Sequence, residues 1–180
     1  MLYSEGYAKQ QRLLHQKGNY GKMGQKYGAV VGKIIDKMEI DTLLDYGCGK
    51  NLSLTKTLKP KRKFQYQGYD IGVKKYSDPP KPAQMVVCCD VIEHIEPDCL
   101  EDVLDHLEEM TEEILLISIH TGPAGKVLQD GRNAHLIQQP LGWWFPKIDE
   151  RFTIQSLQVL DELHFYIIAY AASKPPRVEI

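Results

Sequence analysis

The chain has 180 residues, with 22 Lys+Arg against 24 Asp+Glu for a net charge of −2, and 43% hydrophobic and 26% charged residues. That length suits one globular core, and 14 Gly and 10 Pro without a repeat exclude collagen, coiled coil and wholesale disorder. The near-neutral balance argues against a uniformly basic nucleic-acid platform and against duplex DNA as a partner.

Residues 1–28 are polar, and Gly18, Gly21, Gly24 and Gly28 alternate with Tyr3, Tyr7, Tyr20 and Tyr27. We expect a short helix over 9–16, then a glycine-rich loop, forming an N-terminal arm able to fold over a site as a lid. No apolar run reaches the roughly 18 residues of a membrane span, and this N-terminal stretch lacks the apolar core of a secretory signal. A cytoplasmic protein is expected. Four cysteines, Cys48, Cys88, Cys89 and Cys99, with no CxxC, fit buried thiols in a reducing compartment.

From residue 29 the main domain is expected to run to 174, with a frayed tail over 175–180. Val30, Val31, Ile34, Ile35 and Met38 recur at helical spacing, which predicts an amphipathic helix over 29–38. Apolar runs over 40–46, 65–70, 83–89 and 114–119 read as buried strands, with helices over 53–58 and 98–110. Pro79, Pro80 and Pro82 make 71–82 a loop. Two further β-like stretches, 152–159 and 165–171, read as a hairpin around Asp161-Glu162. Strands alternating with helices imply an α/β fold, mostly parallel, covered on both faces and closed by a C-terminal antiparallel hairpin.

The chemistry-bearing motifs fall at strand exits. Strand 40–46 runs straight into Gly47-Cys48-Gly49, a turn that lets backbone amides approach a ligand beyond the carboxyl end of a sheet. Asp70 follows 21 residues after Gly49 at the end of the next strand, where a carboxylate can accept both hydroxyls of a ribose. Asp90-Val91-Ile92-Glu93-His94 leaves the third strand, and an imidazole there has the intrinsic pKa of a general base. The stretch from His120 to Trp144 follows the fourth core strand, so His120, Asp130, Arg132, Asn133 and His135 are expected to converge on the same mouth, with a forked guanidinium suited to phosphate, carboxylate or a base edge.

The segments LDYGCGK, DVIEHIEP and DGRNAHL together resemble the class I, Rossmann-like S-adenosylmethionine-dependent methyltransferases, in particular a small group from phages and bacteria. Asp45, Gly47 and Gly49 match that family's acidic-x-Gly-x-Gly pattern, while Asn51 stands at its third glycine. The resemblance implies a three-layer sandwich with S-adenosylmethionine as cofactor. By the same resemblance Gly47, Cys48 and Gly49 line its methionine half, Asp45 orders the loop or meets the amino group, Asp70 and Ile71 hold the ribose and adenine, and Asp90 and Val91 lie near the sulfonium. His94, Glu93 and His135 become candidates for deprotonating or orienting an O or N acceptor, with His120, Asp130, Arg132, Asn133 and Tyr20 gripping it. A small polar or nucleotide-like acceptor is expected.

Two alternatives stay open. Asp90, Glu93 and His94 repeat the acid-x-x-Glu-His spacing of the small-RNA 3′-end 2′-O-methyltransferases, which hold a divalent metal; His120 or His135 supplies the remaining imidazole in that reading. Only 19 residues separate Asp70 from Asp90, too few for the family's helix, strand and helix at about 30 residues per unit. The third strand of the family pattern is therefore expected to be shortened or missing, with an adenine pocket built from Ile71, Tyr76 and 77–80. That shortening motivates the other alternative, a degenerate non-catalytic cofactor-binding or interaction domain.

Overall fold

A computed structural model of the chain describes residues 1–16 and 20–172. Gly18 and the expected tail over 175–180 lie outside the described residues. Helix α1 spans Glu5–Gln16 and α2 Gly28–Met38; strand β1 spans Thr42–Tyr46, β2 Gln65–Tyr69 and β3 Ala83–Cys89. Helix α3 (Leu100–Met110) runs directly into β4 (Thr111–His120), and α4 (Leu141–Asp149) precedes the hairpin of β5 (Phe152–Asp161) and β6 (His164–Ala171).

The strands form one sheet in the order β2-β1-β3-β4-β6-β5. β2, β1, β3 and β4 are parallel to their neighbours, and β6 is antiparallel to both β4 and β5. This is the Rossmann-like methyltransferase architecture expected from the sequence. β2 is an edge strand, so among the described residues no strand lies between β2 and β3 in the chain. The units after β1 and β2 have shrunk as well: 3₁₀ turns at Ser53–Lys56 and Lys74–Tyr76 stand where full helices were expected or usual. The expected helix over 53–58 is corrected to that single turn, since Leu52 takes a left-handed φ of 46° and the chain leaves the turn by Thr57.

Alternation along the strands explains the three layers. Leu43, Met85, Val87, Ile114 and Leu116 face α2 through Val31, Ile34 and Ile35. Leu44, Val86, Cys88, Leu115 and Ile117 face the opposite side, where Val103, Leu104 and Leu107 of α3 and the fully buried Trp144 of α4 cover them. Each such aliphatic side chain contributes about 1.5–3 kcal/mol by burial.

Helix α1 begins four residues before its expected start. Ser4 acts as its cap, with Oγ accepting the Tyr7 amide at 3.1 Å and its carbonyl accepting that of Ala8. The helix is tied across the carboxyl ends of the strands: Ser4 donates to Glu96 from both its amide and its hydroxyl, the Tyr7 hydroxyl donates to the His94 carbonyl at 2.7 Å, and Lys50 Nζ donates to the His15 carbonyl.

Candidate active site

The carboxyl ends of β1, β2, β3 and β4 open into a cavity of about 460 Å³, roofed by α1 and residues 20–24. Of the residues singled out by sequence, Asp45, Gly47, Cys48, Asp70, Ile71, Asp90, Val91, His94, His120, His135 and Tyr20 all line it.

At one end lies the glycine turn. Gly47 has φ +83°, and a Cβ there would meet Val91 Cγ2 at 2.2 Å, so no other residue fits between strands β1 and β3 at this exit. Gly49, φ +64°, sits against the backbone of Gly21 rather than on the cavity wall. Asp70 ties this region together: Oδ2 accepts the Gly49 amide and Oδ1 that of Gly72, each at 2.8 Å, with His15 Nε2 at 3.6 Å from Oδ1. Each carboxylate oxygen keeps a second lone pair for a ligand. Asp45 is buried and accepts from Tyr66 Oη at 2.7 Å; burial pushes its carboxyl up to about 7. Burial also pushes the Cys48 thiol far up, which leaves it an inert lining group.

At the other end five of the six histidines form a continuous chain of ring contacts with Tyr20. His15 meets Tyr20 and Tyr20 meets His94; His94 then meets His135, His135 meets His120 and His120 meets His164, with centroids 4.6–5.7 Å apart. His94 Nδ1 lies 2.7 Å from the Ala134 carbonyl and His135 Nδ1 lies 2.6 Å from the Gly122 carbonyl. A carbonyl only accepts, so both Nδ1 atoms carry the proton and both Nε2 atoms present a lone pair. Burial, then the neighbouring His135, lowers the His94 pKa to about 4, and burial lowers that of His135. Both rings are thus neutral at pH 7.

Glu93 lies fully buried behind these rings rather than on the cavity wall. Its Oε1 accepts the His120 amide at 3.0 Å, while Oε2 has no partner. Burial, and then Asp90, raise its carboxyl well above the usual range. Ligand atoms of Glu93, His94 and His135 lie within 4.8 Å of one another. Asp90, at φ 53°, turns instead toward Ser118 (2.6 Å) and His164 (3.1 Å); against the upward push of burial, those hydrogen bonds hold its carboxyl low.

Other residues singled out by sequence lie away from the cavity. Asp130, Arg132 and Asn133 do not reach the cavity wall, because Leu128 and Ala134 are buried against Leu14 and the chain between them turns outward through Gly131 at φ +88°. At the exposed tip Asp130 pairs with Arg132 at 2.7 Å and accepts from Gln10 of α1, which holds its carboxyl low. Asn133 clamps the Ala124 amide and carbonyl, each at 2.9 Å, and the His135 amide, so it positions the 122–126 backbone. Likewise Ile71 lines the cavity, but Tyr76 and 77–80 do not.

Sequence reasoning missed Gln11, Lys126 and His164. The last is set directly opposite His120 by the antiparallel pairing of β6 on β4.

The sequence model of a family described as a methyltransferase domain matches residues 11–164. Among solved structures, the 1,6-didemethyltoxoflavin N1-methyltransferase of Burkholderia thailandensis, with bound 1,6-didemethyltoxoflavin and S-adenosylhomocysteine, superposes with TM-score 0.67 at 12% identity, over 95% of this chain and 91% of that one. DhpI in complex with S-adenosylhomocysteine gives 0.60 at 12%, over 95% and 100%. The small RNA methyltransferase HEN1 gives 0.61 at 13%, over 83% of this chain and 25% of that one. No curated protein matches the chain.

Proposed function

Because the chain belongs to the methyltransferase domain family and its cofactor is S-adenosylmethionine, we propose that it transfers a methyl group to an O or N atom of a small polar or nucleotide-like acceptor. One observation carries the reading: a single cavity joins the glycine turn and Asp70 to two neutral imidazoles that line it, each with its lone pair on Nε2. Methyl transfer from a sulfonium is an in-line displacement, so the protein must align the two partners and take a proton.

In this reading Gly47 and Cys48 pack the methionine half, whose ammonium Asp45 meets, and Gly49 holds Asp70 through its amide. Asp70 accepts the ribose hydroxyls with Ile71 beside the adenine, and Asp90 and Val91 flank the sulfonium. His94 or His135 receives the acceptor's proton at Nε2, with Tyr20 and His120 orienting the acceptor and buried Glu93 holding the His120 amide behind the two rings. Residues 1–28 serve as the lid. Membership of the phage and bacterial group is proposed on the motifs, and a cytoplasmic location on the four free, buried cysteines; among the described residues no helix is long and apolar enough to cross a membrane.

The test is transfer of labelled methyl from S-adenosylmethionine into a pool of nucleosides, nucleotides and short RNA. Replacing the base of general acid–base catalysis costs roughly 10²–10⁴-fold in rate, so His94→Ala or His135→Ala is expected to lose at least that. No labelled product with any acceptor, despite cofactor binding, contradicts the enzyme reading and favours a non-catalytic domain.

A metal-assisted variant, such as 2′-O-methylation of an RNA end, is favoured by the unpartnered Glu93 Oε2 and by ligand atoms of Glu93, His94 and His135 within 4.8 Å of one another. That donor set suits a borderline divalent ion, which would be held by Glu93, His94 and His135 and would acidify a bound hydroxyl. Raised melting temperature with Mn²⁺, lost in Glu93→Gln, supports it; indifference to Mn²⁺ and to chelator removes it.

A further inference from the structure

The small net charge conceals a strong segregation. Residues 1–82 carry 16 Lys+Arg against 7 Asp+Glu, a net of +9, whereas 83–180 carry 6 against 17, a net of −11. The fold converts this into a difference between the two faces of the sheet. The positive half supplies α2, and the negative half supplies α3 on the opposite face with exposed Glu101, Asp102, Asp105, Glu108 and Glu109.

The positive residues are also ordered along a line. Residues 22–37 and 53–63 run side by side for their whole length, away from the cavity mouth. Gly24 packs on Ser53 and Leu54, Thr57 Oγ1 donates to the Gln25 carbonyl, Gly32 lies against Lys59 and Pro60, and Asp36 accepts the amides of Lys61 and Arg62. Lys22 lines the cavity itself, and Lys26, Lys33, Lys56, Lys59 and Lys63 are exposed further along. Among the described residues none of these six forms an ion pair, while Arg62 is matched by Asp41. Helix α2 alone gives the ridge roughly 16 Å at 1.5 Å per residue.

We propose that this lysine ridge is the docking track for the phosphodiester backbone of a single-stranded polynucleotide, whose terminal or extruded nucleotide enters the cavity as methyl acceptor. The proposal rests on the nucleotide-like acceptor put forward above and names its carrier. Unpaired cations along a line match a repeating phosphate, and a base must leave its pair and its stack to enter the cavity, which costs least in a single strand. An anionic membrane fits less well, because among the described residues the exposed large hydrophobic ones, Met1, Val127, Val159, Leu160 and Leu163, all lie off the ridge and leave nothing there to insert.

The experiment measures fluorescence anisotropy of labelled 20-nucleotide single-stranded RNA and DNA on the full chain, across a salt series. Wild type is set against Lys33→Glu/Lys59→Glu/Lys63→Glu and against Glu108→Ala on the opposite face, with circular dichroism confirming that each variant is folded. Binding of either strand, weakened roughly tenfold or more in the triple variant with a salt slope lower by about 0.7 per lost contact, and unchanged in Glu108→Ala, supports the ridge; the two strands show whether the 2′-hydroxyl contributes. No binding, equal binding by the folded triple variant, or capture only of phosphatidylserine vesicles or polyglutamate overturns it. Failure of S-adenosylmethionine binding with intact strand binding instead defeats the methyl-transfer reading and leaves the ridge standing.

Discussion

With its carboxyl raised to about 7 by burial, Asp45 carries a proton over much of the range below neutrality. If it meets the cofactor's ammonium it must ionise on binding, so affinity for S-adenosylmethionine is expected to fall as pH drops below about 7, approaching tenfold per unit for one linked proton. Calorimetry at pH 6, 7 and 8 checks this. Asp45→Asn should bind more weakly with a flatter profile, and a wild-type profile as flat as the variant's contradicts the role. The sign in the empty protein is opposite to the usual carboxylate case. A carboxyl raised on folding makes the folded state bind the extra proton between about pH 4 and 7, so Asp45 detracts from stability as pH rises through that window. Gly47 offers a purely steric test: Gly47→Ala must displace Val91 and strain a positive φ, at a cost of about 2 kcal/mol or more. An unchanged urea midpoint would count against the tight exit drawn here. Gly47, Asp70 and His94 were legible because turn chemistry and strand exits mark them locally. The displacement of Asp130 and Arg132 was not, since it depends on Leu128 and Ala134 finding Leu14 of a distant helix.

At the scale of elements, α1 is the part whose removal separates closure from chemistry. It holds the roof through Tyr7, Ser4 and the His15 carbonyl, and ordered lids slow ligand exchange. Deleting residues 1–16 is expected to raise the cofactor's dissociation rate by an order of magnitude or more while the sheet stays folded, as read by stopped-flow displacement and circular dichroism; an unchanged rate means that the helix is not a lid. Trp144 anchors α4 to the sheet, fully buried and donating through Nε1 to the Gln139 carbonyl at 3.0 Å. Trp144→Ala should lose about 3–5 kcal/mol, measurable by urea unfolding, and a loss below 1 kcal/mol would contradict that anchoring. Periodicity revealed α2, α3 and the buried strands because one apolar face repeats at 3.6 or 2 residues. It overstated the helix after β1, where the same apolar spacing spans only one 3₁₀ turn, and it missed the start of α1, which depends on the Ser4 cap rather than on apolar spacing.

For the whole molecule, the mostly parallel sheet with its antiparallel close followed from alternating elements, and the shortened interval between Asp70 and Asp90 is met by β2 at the sheet edge. What composition hid was the placement of charge, since a sum near zero is compatible with two strongly opposed faces. The histidine chain was equally invisible as a unit: its members come from α1, the exits of β3 and β4, the 121–139 loop and β6, and only the closed sheet brings them together. The central claim is that the glycine turn, Asp70 and the imidazoles form one cofactor-dependent site. Calorimetric titration of the purified chain with S-adenosylmethionine and S-adenosylhomocysteine, beside Asp70→Ala, tests it most directly. The account predicts one-to-one micromolar binding of both, weakened by roughly ten- to a hundredfold in the variant as charged hydrogen bonds of about 1.5–3 kcal/mol are lost. Absence of binding to the intact chain, or equal binding by Asp70→Ala, would contradict it.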